Sequence, residues 1–317
     1  MNIAFLDGYT INPGDLTWDS LEALGKLTVY DRTDADEVID RARDAEVIIV
    51  NKTPLTAAHF EALPQLKLVC VAATGYDRVD IQAARAHGVT VCNCAGYSSR
   101  AVAQMAVSLL LEVADSVGTY AELNRQGEWA RRSDFCYTLH PRLELVGKRA
   151  AIVGFGNIGQ AIADILRALG MKLYAVSSKS QEELPADVTK LSLAEAFATC
   201  DVVSLNCPLN EANRGFVNAE LLAQSNPHLI LINTARGALI NEADVAQALQ
   251  AGKLGAYCTD VLQQEPPQAD CPLFQAPRAW VTPHIGWNTP EARQRILAIL
   301  KDNIEGSLNG TPKSVVN

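Results

Sequence analysis

The chain has 317 residues, enough for two domains of ordinary size, and is 48% hydrophobic and 20% charged. Its formal net charge of −9 excludes the basic face that nonspecific nucleic-acid binding needs, although a few local arginines can still hold a small anion. No run of about 18 apolar residues occurs, so no membrane span is predicted.

The opening stretch, MNIAFLDGYT, has no basic region and only a short apolar run, Ile3–Leu6, which predicts neither a signal peptide nor an anchor. Similar runs alternate with helical patterns from end to end. In the first part they are Ile3–Leu6, Val47–Val50, Leu68–Val71 and Val89–Val91. In the second they are Ala150–Val153, Leu173–Val176, Val202–Leu205, Leu229–Ile232, Ala256–Thr259 and Trp280–Val281. Continuous apolar runs suit strands covered on both faces, and strands separated by helices form parallel sheets. Two α/β units are therefore predicted. Cys70, Cys200, Cys207 and Cys258 lie in or beside these runs and read as buried thiols. Cys92 and Cys94 lack the second pair or the histidines of a zinc site, so no metal is predicted and the expected setting is a reducing cytoplasm.

Between the two groups of strands lies Ser98–Tyr120, read as one helix capped by Ser98 or Ser99. Met105, Leu109, Leu110 and Val113 form a stripe, while Val107 and Leu111 lie off it. A helix apolar on more than one side must be covered on more than one side. Two readings stand: an internal core helix, or a helix with one face on its own chain and another on a second subunit. The amphipathic segment Glu291–Leu308 is expected to return to the first unit. Residues 1–98 and 290–317 would then form a discontinuous outer domain and residues 99–289 an insert, with a cleft between two lobes.

The insert contains Gly154-Phe155-Gly156-Asn157-Ile158-Gly159, after a strand-like run and before a helical one. Gly154 would allow a tight turn, Gly156 the approach of a pyrophosphate to a helix N-terminus, and Gly159 close helix–strand packing. A plain strand-to-helix turn is the bland alternative to a dinucleotide site. The acid that holds the adenosine ribose in this fingerprint is missing. The strand Leu173–Val176 runs instead into Ser177-Ser178-Lys179. Two hydroxyls and an ammonium suit a 2′-phosphate, so NADP is favoured over NAD; the other reading is a solvated loop that tolerates both.

Three later stretches each follow a strand-like run: NTARG (Asn233–Gly237), TDVLQQEPP (Thr259–Pro267) and TPHIGW (Thr282–Trp287). Ligands collect at the carboxyl ends of parallel strands, so Arg236, Glu265 and His284 are candidates to converge beside a bound nicotinamide. Taken singly, each has a plainer reading: a surface ion pair, a turn cap before two prolines, and a structural histidine.

In these stretches, and in FLDGYTINPGDL, NKTPLT, AATGYDRVD and the VAQ of the long helix, the chain resembles the D-isomer-specific 2-hydroxyacid dehydrogenases, and within them the glycerate dehydrogenase/hydroxypyruvate reductase group. The resemblance runs over essentially the whole chain. It implies a Rossmann-type dinucleotide-binding domain inserted in a flavodoxin-like substrate domain, a homodimer paired through the Ser98–Tyr120 helix, and reduction of a small 2-keto acid. Arg236 would clamp the substrate carboxylate and carbonyl. His284 would carry the proton, and the Glu265 carboxylate would hold the ring and favour its protonated form. By the same resemblance, Asp260 would meet the nicotinamide carboxamide. Asn206, Cys207, Pro208, Thr234, Ala235 and Gly286 would border the cofactor. Backbone amides in the turn of Thr74, Gly75 and Tyr76 would hold the substrate carboxylate, with Lys52 at the substrate mouth. Two departures stand out: Ser177 replaces the usual acid of NAD-using members, and Thr138-Leu139-His140-Pro141 replaces a more aromatic stretch. Catalysis on another small anion, or dinucleotide sensing without turnover, would use the same fold.

Overall fold

The computed structural model describes residues 1–317. The chain divides into two compact units, one of Met1–Ser98 with Trp287–Asn317 and one of Ser99–Gly286.

The first unit holds five parallel strands: β1 (Asn2–Phe5), β2 (Lys26–Val29), β3 (Val47–Val50), β4 (Leu68–Val71) and β5 (Thr90–Asn93). Their order is β2-β1-β3-β4-β5, the flavodoxin-like arrangement. Every residue of β3 and β4 is buried, as continuous apolar runs require. β2 is an edge strand with alternating exposure, which is why no continuous run marked it. The C-terminal helix Pro290–Leu308 starts with Thr289 accepting a hydrogen bond from the Ala292 amide and with proline at its first position. It buries Ile296, Leu300 and Ile304 at a four-residue spacing and packs on β4. Arg293 on this helix is only 5% exposed and makes two 2.6 Å bonds to the Asp15 carboxylate. The hydrogen bond from that guanidinium holds the Asp15 carboxyl below its ordinary value.

The second unit has seven parallel strands: β6 (Arg149–Val153), β7 (Lys172–Val176), β8 (Val188–Lys190), β9 (Val202–Leu205), β10 (Ile230–Asn233), β11 (Ala256–Thr259) and β12 (Ala279–Val281). The order β12-β11-β10-β9-β6-β7-β8 is the Rossmann arrangement with one further strand at one edge. β8 escapes the apolar pattern because only Val188 of its three residues is buried.

The expected single helix over Ser98–Tyr120 is two helices, Ser99–Asp115 and Val117–Arg125, bent by 59°. Ser116 adopts a left-handed conformation (φ 52°) at the break, and its hydroxyl bonds His140 Nε2 at 3.0 Å. The first helix buries eight residues against β10, β11 and the helix Asn157–Ala168; the second buries none. Val107 and Leu111, both off the predicted stripe, part company: Val107 is buried and Leu111 exposed. No single helix is long and apolar enough to cross a membrane. Cys70, Cys200 and Cys258 are buried, whereas Cys207 is only half-buried because it ends in the turn after β9.

Candidate active site

In the Ser99–Gly286 unit the strand order reverses between β6 and β9, where ligands bind in such sheets. Gly154 sits there with φ +92°, and a Cβ on it would lie 2.6 Å from the Cys207 amide nitrogen. Only glycine lets the turns after β6 and β9 approach so closely. A Cβ on Gly159 would strike the Gly154 carbonyl oxygen and come within 2.8 Å of Ile152 Cγ2. Around Gly156 a Cβ would meet nothing within 4 Å, so open space lies before the 12-residue helix that Asn157 and Ile158 begin. The unpaired N–H groups of that first turn suit a pyrophosphate. Phe155 is packed into the core, which leaves only its backbone to border that space.

Two buried side-chain atoms here have no partner: Asn206 Oδ1 after β9 and Thr234 Oγ1 after β10. Buried polar atoms are nearly always bonded, so these two fit a dinucleotide lying across the strand ends. (The third such atom, Arg149 Nε, is at the opposite end of β6, where the guanidinium stacks on Tyr174.) No carboxylate ends β7. The Ser177–Lys179 turn closes on itself, the Lys179 amide donating to Ser177 Oγ at 3.2 Å.

The turns after β10, β11 and β12 are shaped by polar residues that are themselves buried. Asn233, fully buried, accepts from the Ala235 amide at 3.1 Å and donates to the Arg236 carbonyl at 2.9 Å, pinning both ends of the Thr234–Arg236 turn. Thr259 Oγ1 bonds the carbonyls or amides of Asn233 and Val261 and so ties the β10 and β11 ends together. Gly237 then passes so close to the next turn that a Cβ would overlap the Leu262 carbonyl carbon. Arg236 is thereby held beside the turn that carries Glu265, and one of its Nη1 hydrogens bonds the Ala235 carbonyl at 2.8 Å.

Glu265 Oε1 accepts from the Leu262 amide at 3.0 Å, and Oε2 meets His284 Nδ1 at 2.7 Å. His284 is in the left-handed region (φ 54°), strained for a residue with a Cβ. Asp260, 3% exposed, holds it there. Its Oδ1 accepts from Thr282 Oγ1 (2.6 Å) and the Ile285 amide (2.9 Å), and its Oδ2 from the Gly286 amide (2.7 Å). The carboxylate grips the chain on both sides of the histidine and retains acceptor capacity on Oδ2.

The remaining expected site residues lie in the first unit, at the ends of β3 and β4. Lys52 belongs to a turn whose amides, from Asn51, Lys52 and Thr53, all donate to the Asp7 carboxylate at 2.6–2.7 Å. Asp7 follows β1, so it sits where this sheet's order reverses, between β1 and β3. Thr74 donates to the Cys94 carbonyl at 3.1 Å, and its own carbonyl accepts from Asn93 Nδ2 at 2.7 Å. Gly75 is half-buried and Tyr76 exposed in the same turn. The departing segment near Thr138–Pro141 packs on the second unit's own helices, the Leu139 amide donating to Tyr120 Oη at 3.0 Å.

The sequence assigns no role of their own to Asp7, Lys190, or Asn233 and Gly237 at the two ends of the NTARG stretch. For Asp7, Asn233 and Gly237 the signals were present but faint: a polar residue directly after or closing an apolar run, and a glycine directly after the candidate arginine; Lys190, on an edge strand with no apolar run, carried none.

A two-unit α/β protein with a dinucleotide-type sheet and a carboxylate–imidazole pair at its strand ends has the form of a nicotinamide-dependent oxidoreductase. Residues 107–286 match the family model of the NAD-binding domain of D-isomer specific 2-hydroxyacid dehydrogenases. The chain is 41% identical to a hydroxypyruvate reductase of Blautia hydrogenotrophica over 100% of both chains. It is 38% identical to a glycerate dehydrogenase of Methylorubrum extorquens over 89% of this chain and 88% of that one. Among solved structures, an acyclic imino acid reductase in complex with NADPH and D-arginine superposes with a TM-score of 0.88 at 27% identity, covering 100% of both chains. The chain belongs to the D-isomer-specific 2-hydroxyacid dehydrogenase family.

Proposed function

We propose that this protein reversibly reduces a small 2-keto acid, of the hydroxypyruvate or glyoxylate class, to the D-2-hydroxyacid. The observation that carries the reading is the Glu265–His284 pair, held at 2.7 Å on a left-handed backbone by the buried Asp260. Structural histidines have no need of such a strained and clamped setting. A bound NAD(P)H supplies the hydride.

The chain's own residues supply the rest. Arg236 offers a fixed positive charge and a planar fork, which anchors the substrate carboxylate and stabilises charge gathering on the carbonyl oxygen. His284 Nδ1 donates to Glu265, which leaves Nε2 to deliver the proton to that oxygen in reduction and to remove it in oxidation. Asp260 shapes the histidine turn, and its spare Oδ2 lone pair suits the nicotinamide carboxamide. Gly154 to Gly159, with Asn206, Cys207, Pro208, Thr234, Ala235 and Gly286, would line the dinucleotide. Lys52 and the Thr74–Tyr76 turn of the first unit would receive the substrate. Residues 1–98 with the C-terminal segment form the substrate domain in this reading, and the inserted unit the cofactor domain.

NADP is the favoured cofactor, because the end of β7 offers Ser177, Ser178 and Lys179 and no acid. A homodimer is favoured because Leu111, Val117, Trp129, Phe135 and Leu139, on and after the bent helix pair, are large apolar side chains left exposed, of the kind a second copy covers.

Initial rates with NADPH and NADH over a panel of 2-keto acids test the reading. Turnover of hydroxypyruvate or glyoxylate with NADPH ahead of NADH is expected. Tight nucleotide binding without turnover of any keto acid would replace it with dinucleotide sensing. Equal efficiencies with both cofactors would remove the NADP preference alone.

A further inference from the structure

The edge strand β8 carries a second ammonium to the turn after β7. Ala175 of β7 pairs with Lys190 of β8, so Lys190 stands next to the strand end from which Ser177–Lys179 emerges. Its Nζ donates to the Lys179 carbonyl at 2.6 Å. Its backbone N–H donates to Gln181 Oε1 at 2.7 Å, and Gln181 Nε2 donates to the Val188 carbonyl at 2.8 Å. The glutamine thus straps the loop to β8. A capping box between Ser180 and Glu183 closes its far end. The loop is tied down on three sides, around two serine hydroxyls and two lysines.

The acids nearby are engaged. Glu183 accepts from the Ser180 amide at 2.8 Å. Glu182 is held below the ordinary carboxylate value, chiefly by its own backbone amide and the Ser180 hydroxyl and least by the charge of Lys190. Lys190 spends one of its three ammonium protons on Lys179 and keeps two. An exposed carbonyl needs no ammonium, since water serves it equally well. A dianionic phosphate beside the same turn does need one.

We infer that Lys190 is a specificity-determining residue that works with Lys179 to bind the 2′-phosphate of NADP. The inference rests on the NADP reading above. Serines 177 and 178 would donate hydroxyl hydrogen bonds, Lys179 would supply charge from the loop, and Lys190 would supply charge from the neighbouring strand.

Calorimetric binding of 2′,5′-ADP and 5′-ADP to the intact protein separates the claims without turnover. Lys190→Met should weaken 2′,5′-ADP about ten-fold, the size of one charge-assisted bond at an exposed site, and leave 5′-ADP unchanged. Lys190→Arg should restore most of the loss. The salt dependence of 2′,5′-ADP binding should be shallower in Lys190→Met than in the wild type. Equal loss of both nucleotides would make Lys190 a mere loop support and overturn the inference. So would an unaltered 2′,5′-ADP affinity in a wild type that prefers the phosphorylated nucleotide. If the wild type binds both nucleotides equally, the NADP reading falls first and takes this subsite with it.

Discussion

Each sheet gathers its turns where the strand order reverses, yet the two places are built from opposite materials. Between β6 and β9 the chain removes side chains: Gly154 brings two turns into backbone contact, and Gly156 leaves open space before a helix. Between β1 and β3 it adds a charge, and the Asp7 carboxylate takes up three successive amides of the turn after β3. The difference has a chemical consequence. Free amides at a strand end form a nest for an anion, so the first site suits a pyrophosphate. In the second, the nest is already filled by the protein's own carboxylate. What that turn presents outward is a side chain, Lys52, and any substrate carboxylate must find amides elsewhere, as in the Thr74–Tyr76 turn.

The largest expected effect falls on the chemistry of the Ser99–Gly286 unit. His284→Gln should cut kcat by about 10² to 10⁴ while nucleotide binding persists. A pH–rate profile unchanged by the substitution would remove the imidazole from the mechanism. Next comes Gly237→Ala, whose Cβ must push Arg236's turn away from Leu262. A displacement on the order of 1 Å there should cost about 10²-fold in kcat/KM. Steady-state kinetics with cofactor titration would check it, and wild-type kinetics would show that the close approach does not position the arginine.

Asp7→Asn probes the other side of the comparison. With the charge gone, the turn of Asn51 to Thr53 loses its common anchor, and KM for the keto acid should rise about ten-fold with kcat and nucleotide affinity little changed. A loss of nucleotide binding instead would mean that the two sites are not built independently. The smallest effect is one of stability. The Asp15 carboxyl is held below its ordinary value of 3.8 by Arg293. A depressed folded-state value contributes stability above the unfolded value and loses it as the pH falls through the folded one. Asp15→Asn should therefore lower Tm slightly at neutral pH, because the aspartate is half exposed and screened, and the wild-type and variant melts should converge once the pH has fallen through the lowered folded-state value of Asp15. A gap that persists in acid would assign the effect to packing.

The strands most legible in the sequence were those with both faces covered. β3, β4, β9 and β11 fall on the apolar runs that marked them, residue for residue. The edge strands β2 and β8 left no such run, because half the residues of β2 and two of the three of β8 face solvent. The helix break at Ser116 was equally silent. The break falls on a serine and not on glycine or proline, and the left-handed serine is held by His140, 24 residues further on. At the candidate site, arginine, glutamate and histidine stood out because their chemistry is specific. The residues that shape their turns did not. Asn233 looks like the ordinary end of an apolar run until its bonds across the turn are seen, Asp260 was expected beside the nicotinamide and not as the clamp of the histidine turn, and Gly237 looks like a plain turn glycine until Leu262 is found against it.

Taken alone, the order of residues determined two parallel α/β sheets, a glycine turn suited to a dinucleotide and the types of side chain available for carbonyl chemistry. These follow from local rules: burial sets the apolar runs, backbone freedom sets the glycines, and charge sets what can anchor a carboxylate. Tertiary structure alone decided that Glu265 meets His284 19 positions further on, that Asp260 grips the backbone around that histidine, and that Lys190 returns to the turn of Lys179. Such pairings depend on which strands become neighbours. That is fixed by the packing of the whole sheet, and no short window of sequence carries it.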